Sequence, residues 1–242
     1  MPNDVTPEAL GRLLDLQAED TAIKQLELRW INLEEAKQLA EANAALAELD
    51  ADLDIAGKQR DEIAREQSRL EGEIKLLEDK TAREEQRMFS GSVANPKELS
   101  ALQAEVESLK RRRSDLEEGL LEVMVQGESA TETWQRLHSE RETTASTAKR
   151  LAEAVATIKS ETDGELASHR DRRETILPDV PDNVLSLYDR LREQKGGIGA
   201  AALVGGTCEG CHTQLSNKEV ERLRAAGGLQ RCENCRRILV VT

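Results

Sequence analysis

Aromatic side chains are almost missing from this chain, with one Phe, one Tyr and two Trp among 242 residues. Large globular interiors draw much of their buried area from such rings, so one broad core is excluded. Proline is scarce too: Pro2, Pro7, Pro96, Pro178 and Pro181 leave long intervals free to be helical. No apolar run is long enough to span a bilayer, which predicts no membrane partner. The opening Met1-Pro-Asn-Asp-Val-Thr lacks a basic start and an apolar stretch, so no secretory leader is expected and the expected location is cytoplasmic. Positive charge is the minority sign: 34 Lys and Arg against 47 Asp and Glu give −13, which argues against a generic polyanion binder.

Catalytic signatures are lacking as well. His138, His169 and His212 are scattered, and Gly196-Gly197 and Gly205-Gly206 lack the Lys-Ser/Thr of a phosphate loop. Carboxylates abound, but open helix faces offer no desolvation to tune them. No enzyme and no small-molecule substrate are expected.

What is present is material for long helices: Ala, Leu, Glu, Arg, Lys and Gln. Thr6-Pro7-Glu8 starts one, with Thr as N-cap and Pro in the first helical position. Leu46, Leu49, Leu53, Ala56, Ile63, Leu70, Ile74 and Leu77 keep alternating three- and four-residue spacing, interrupted by Arg60 and Gln67. Leu16, Ile23, Leu26, Trp30 and Leu33 keep the same spacing in another register, and the offset near Leu33 predicts a local slip in the supercoil. A second series runs from Leu99, Leu102, Val106 and Leu109 to Leu151, Val155, Ile158 and Ile176 in one register, with Arg113, Arg141, Thr144 and His169 as polar members. So narrow a stripe suits a coiled-coil seam.

Between the two series, Gly91 and small residues can reverse the chain, and Asn95-Pro96-Lys97-Glu98 restarts a helix with a capping box. The spacing predicts arms over about 7–88 and 97–176, each roughly 120 Å long at ~1.5 Å per residue. Near-equal arms favour an antiparallel hairpin; parallel pairing of each arm between two chains is the minority alternative. Pro178 and Pro181 end the second arm, a short amphipathic helix carries Val184, Leu185, Leu187, Tyr188 and Leu191, and Gly196-Gly197 stops it.

All four cysteines lie in the last 35 residues, as Cys208-Glu-Gly-Cys211 and Cys232-Glu-Asn-Cys235. Two C-x₂-C turns at that separation supply four thiolates to one tetrahedral Zn²⁺, with no open position for water, so the expected ion is single and structural. Disulfides would need an oxidising compartment, and a thioredoxin-like motif would need a βαβ unit. His212 could replace a sulfur, although the complete cysteine set favours a local hydrogen-bonding role. Short strands at Ile198–Val204, Leu229–Arg231 and Ile238–Val241, with a helix capped by Ser216 and Glu219, complete a zinc ribbon.

The expected fold is mainly α: a long antiparallel coiled-coil helical hairpin (1–178, tip loop 89–96), a short helix and linker (179–197), and a small C-terminal four-cysteine zinc ribbon (198–242). Asn95-Pro-Lys-Glu-Leu99, Leu187-Tyr-Asp-Arg-Leu191, Cys208-Glu-Gly-Cys-His212 and Cys232-Glu-Asn-Cys-Arg-Arg-Ile-Leu239 together resemble a bacterial family of coiled-coil hairpin proteins with a C-terminal C4-type zinc ribbon. The resemblance implies a binding adaptor rather than an enzyme. Members are described as associating with an alternative sigma factor, with secretion or flagellar components, or with messenger RNA.

Two surfaces could serve such a role. At the tip, Met88, Phe89 and Lys97 would form a protein-partner anchor if exposed, or cap the hairpin core if buried. On the ribbon, Arg222, Arg224, Arg231, Arg236 and Arg237 could grip a nucleic-acid backbone or a protein. Six basic residues against four acidic ones give residues 207–242 a charge of +2, leaving −15 elsewhere. No aromatic follows Tyr188, so the ribbon cannot stack bases. The primary expectation is a non-enzymatic adaptor for protein partners, and the alternative is RNA or DNA binding through the ribbon.

Overall fold

The computed structural model describes residues 5–91, 93 and 95–241. The chain start read above for a leader (residues 1–4), tip residues 92 and 94, and residue 242 lie outside the described residues. The elements are α1 (Pro7–Ile31), α2 (Glu34–Phe89), α3 (Pro96–Ile176), a 3₁₀ turn (Leu177–Asp179), α4 (Asp182–Gln194), β1 (Ala200–Val204), β2 (Thr207–Cys208), β3 (Thr213–Gln214), α5 (Asn217–Ala226), β4 (Gln230–Arg231) and β5 (Ile238–Val241). They form two compact units, one of residues 38–151 and one of 5–37 with 152–241.

In the first unit α2 and α3 run antiparallel. The ion pairs Arg87–Glu98, Lys80–Glu105, Arg113–Glu78 and Arg141–Asp50 show the direction, since one number falls as its partner rises. Every apolar seam position expected on α2 is buried or half-buried, whereas the off-seam Ile55 and Leu76 are exposed. Arg60 interrupts the seam because its guanidinium lies 4.8 Å from the Trp134 ring centre. Trp134 in turn lies over Gly57, where an added Cβ would meet its ring at 3.8 Å, in ordinary contact. The capping box that restarts the chain at α3 closes only in part. Asn95 accepts from the Lys97 amide as a cap should, but Glu98 turns to Arg87.

In the second unit the first arm departs from expectation, because it is two helices. Asn32 ends α1, its side-chain and backbone N–H groups both reaching the Leu28 carbonyl. A short amide that satisfies the backbone locally competes with the helical ladder. Thr6 caps α1 through the Ala9 amide, as expected. Seam spacing on α3 also shifts by one residue locally. It places a position at 165, yet Glu165 is exposed and Leu166 is buried. Glu19 of α1 meets His169 and Arg172 of α3, and Asp20 meets Arg173.

The sheet order is β3-β2-β1-β5-β4, with β1 and β5 parallel and the other pairs antiparallel. Alternation along the central pair splits it between two cores. Ala200, Ile238 and Val240 pack with Leu10, Leu13, Leu16, Val184, Tyr188 and Leu191 of the helices. Ala201, Leu203 and Leu239 face the other way, with Cys208, Cys232, Leu215, Val220 and Leu223. The linker is pinned in place rather than swivelling. Gln17 donates to the Gly197 carbonyl at 3.0 Å and accepts from the Gly199 and Ala200 amides at 2.7 and 3.2 Å.

Candidate metal centre

Each C-x₂-C segment is a tight turn closed by its own backbone. The Cys211 and His212 amides donate to the Cys208 carbonyl, and the Arg236 amide donates to the Cys232 carbonyl. The residue after each second cysteine takes a left-handed conformation, φ 54° at His212 and 67° at Arg236. A non-glycine residue there costs on the order of 1–2 kcal/mol. His212 therefore shapes the turn through its backbone.

The turns bring all four thiols together. Their sulfurs lie within 4.8 Å of one another, and two cross-turn distances, Cys208–Cys235 and Cys211–Cys232, are both 3.9 Å. A tetrahedron with Zn–S bonds of ~2.3 Å has edges of roughly 3.8 Å. The donor set fits Zn²⁺ in kind, number and spacing.

Cys208 and Cys232 are fully buried, and burial pushes the Cys208 thiol up to about 12 and the Cys232 thiol upward as well. Cys211 moves oppositely, down to about 6, through hydrogen bonding by Thr213 and then Asn234. Asn234 Nδ2 lies 3.6 Å from the Cys211 sulfur and donates to Thr213 Oγ1 at 2.8 Å. N–H donors around a thiolate disperse its charge and fix its direction. A bound cation would deprotonate the buried pair outright.

These geometric findings meet two family models. The CT398-like coiled coil hairpin domain matches residues 16–196, and the C4-type zinc ribbon domain matches residues 207–239. The chain belongs to the CT398-like coiled coil hairpin family. Uncharacterized protein Rv2229c of Mycobacterium tuberculosis is 32% identical over 208 residues, covering 83% of this chain and 80% of that protein. A solved Mycobacterium smegmatis structure superposes with TM-score 0.81 at 25% identity, over 98% of this chain and 99% of the other. CT398 from Chlamydia trachomatis shares the fold at TM-score 0.63 and 21% identity, over 97% and 98%. As a C4-type ribbon with its cysteines gathered, this family member carries one structural zinc.

The five ribbon arginines are not equivalent. Arg222 pairs with Glu219 and Glu233, so Glu219 serves Arg222 instead of closing the box with Ser216, which still accepts from the Glu219 amide. Arg237 donates to the Ile198 and Lys195 carbonyls, both at 2.8 Å. Arg231 donates to the Arg236 carbonyl at 2.7 Å. Arg224, Arg231 and Arg236 are exposed and have no carboxylate partner among the described residues. At the tip, Met88 is half-buried, whereas Phe89 is 80% exposed and Lys97 is exposed.

One constellation escaped the sequence reading. Asp20, its side chain 2% exposed, takes Arg173 at 2.7 Å, Arg192 at 2.8 Å and the Tyr188 hydroxyl at 2.7 Å. Burial and then the Asp20 hydrogen bond push Tyr188 well above the ordinary phenol range. The available signal was Asp20 four residues from Leu16 on the apolar stripe of α1, a place where a solvated carboxylate does not belong. No described helix is long and apolar enough to cross a membrane.

Proposed function

We propose that this protein is a non-enzymatic, cytoplasmic adaptor that uses its zinc ribbon and hairpin tip to hold protein partners. The observation that carries the reading is Phe89, the chain's one phenylalanine, left 80% exposed where α2 ends. A large ring held in water on a turn is the kind of anchor that fills a partner's pocket. The half-buried Met88 and the exposed Lys97 are assigned to the same docking surface. Cys208, Cys211, Cys232 and Cys235 hold the zinc that stiffens the ribbon. The ion serves folding, because four protein ligands leave no position for substrate.

The test is affinity capture with wild type and Phe89→Asp, then direct titration of each captured protein after purification. A hot-spot residue costs at least about 2 kcal/mol, roughly thirtyfold in affinity. Partners that bind both forms equally would refute the tip as an anchor.

A second reading, RNA or DNA binding through the ribbon, is favoured by the exposed Arg224, Arg231 and Arg236, which have no carboxylate partner among the described residues. Contacts would go to the backbone, so affinity for fluorescent single-stranded RNA or duplex DNA should fall steeply with salt and drop in Arg224→Ala and Arg231→Ala. Absence of binding at low salt would rule it out.

A further inference from the structure

The central strand pair carries two cores on its two faces, so neither can rearrange alone. Ala200, Ile238 and Val240 lie against the helices, while the interleaved Ala201 and Leu239 lie against the buried cysteines. Hydrogen bonds run across the same wall. Gln17 on α1 receives the Gly199 amide, the Gly199 carbonyl receives the Ile238 amide at 2.9 Å, and the neighbouring Arg237 carbonyl receives the amide of Cys232 at 3.0 Å. The Arg237 side chain makes a second link. Its stem covers Gly210 inside the first cysteine turn, where an added Cβ would come within 2.9 Å of it, and its head reaches the linker carbonyls.

We propose that zinc binding and the seating of the ribbon on α1 and α4 are a single coupled equilibrium, transmitted by Gln17 and Arg237 as positioning residues. Seating holds the cysteine turns in the geometry the metal needs. The metal, by fixing those turns, holds β1 and β5 against the helices. Linkage makes the effect reciprocal, so a change made at Gln17, outside the cysteine core, must appear in zinc affinity.

Zinc transfer from the full-length zinc-loaded protein to a chromophoric chelator reads this directly. Gln17→Met keeps the volume and removes the hydrogen bonds; zinc affinity should fall by about 5- to 150-fold, the usual span of such couplings. Arg237→Met should move in the same direction. Leu70→Ala in α2, which opens a seam cavity elsewhere, should leave transfer at the wild-type level. Transfer by Gln17→Met equal to wild type overturns the coupling, as does an equal loss in Leu70→Ala.

The reverse arm needs no variant. Tyr188 is the chain's single tyrosine, and the charged groups facing it are Asp20 of α1, Arg173 of α3 and Arg192 of α4. In zinc-loaded protein its ionisation should stay suppressed above the ordinary phenol range. After chelation, with helicity checked by circular dichroism, tyrosinate absorbance should appear near pH ~10. Tyrosinate suppressed equally in stripped and loaded protein would overturn the proposal.

Discussion

Between residues 38 and 151 the buried side chains form a single file, and the charges beside them pair on the surface. Lys58–Asp54, Arg69–Glu66, Lys80–Glu105 and Arg141–Asp50 are all substantially solvated. In the other unit, Leu13, Leu16, Tyr188, Ile238 and Leu239 are fully buried, and the central carboxylate is enclosed with them. A two-helix seam packs each residue only against the facing helix, so its stability comes in many small contributions spread along its length. A core of helices and sheet closes around its members, and one residue there can matter to all the rest. The same Ala-, Leu- and Glu-rich composition thus produces a region that tolerates change and a region that does not.

The sharpest way to break the contrast is at the cysteines. Cys232→Ser should drop bound zinc from about one per chain to none, because structural zinc contributes on the order of 10 kcal/mol to folding its module. Metal analysis gives the first number, and helicity should persist in the arms. Next comes Asp20→Ala, which strands Arg173, Arg192 and the Tyr188 hydroxyl. Breaking a buried charge network of this kind costs about 3–5 kcal/mol, measurable as a lowered urea midpoint. Gly199→Ala belongs close behind: a Cβ there would sit 2.6 Å from the Tyr188 carbonyl oxygen, so the linker must shift. Its melting temperature should fall by several degrees, with Tyr188 becoming easier to ionise.

Smaller effects sharpen the comparison. Glu19 is held below the ordinary carboxylate range: burial alone would raise it, but His169 and Arg172 together outweigh burial. A lowered folded pKa gives stability that is present above the unfolded value, about 4.3, and lost as pH falls through the folded one. Glu19→Gln should therefore flatten the acid side of the stability profile. At the bottom of the scale, Arg141→Ala removes an ion pair whose partners are 41% and 55% exposed. The unfolding midpoint should stay unchanged within measurement and show no salt dependence of its own.

The seam of both arms was readable because periodicity is local: each Leu announces the next three or four residues on. The cysteine turns were readable because metal ligation demands fixed spacing. Gln17 and Asp20 were not, since their partners lie more than 150 residues away in sequence and leave no periodic trace. Asn32 broke the first arm where the heptad register slips, and the slip was visible but not its form. Arg237 carried a charge that reads as surface, and its use in binding two linker carbonyls follows only from the approach of the linker to the second cysteine turn.

The bond from the Gly199 amide to Gln17 spans 182 residues. At a synthesis rate of about 5–20 residues per second, the α1 residues emerge roughly 10 to 40 seconds before their cover exists. For that interval Leu10, Leu13 and Leu16 face the crowded exterior of a ribosome. The later-made segment supplies both the metal ligands and the sheet that shelters α1. Shortage of zinc during translation would therefore be felt far back along the chain, as an α1 still waiting for its lid.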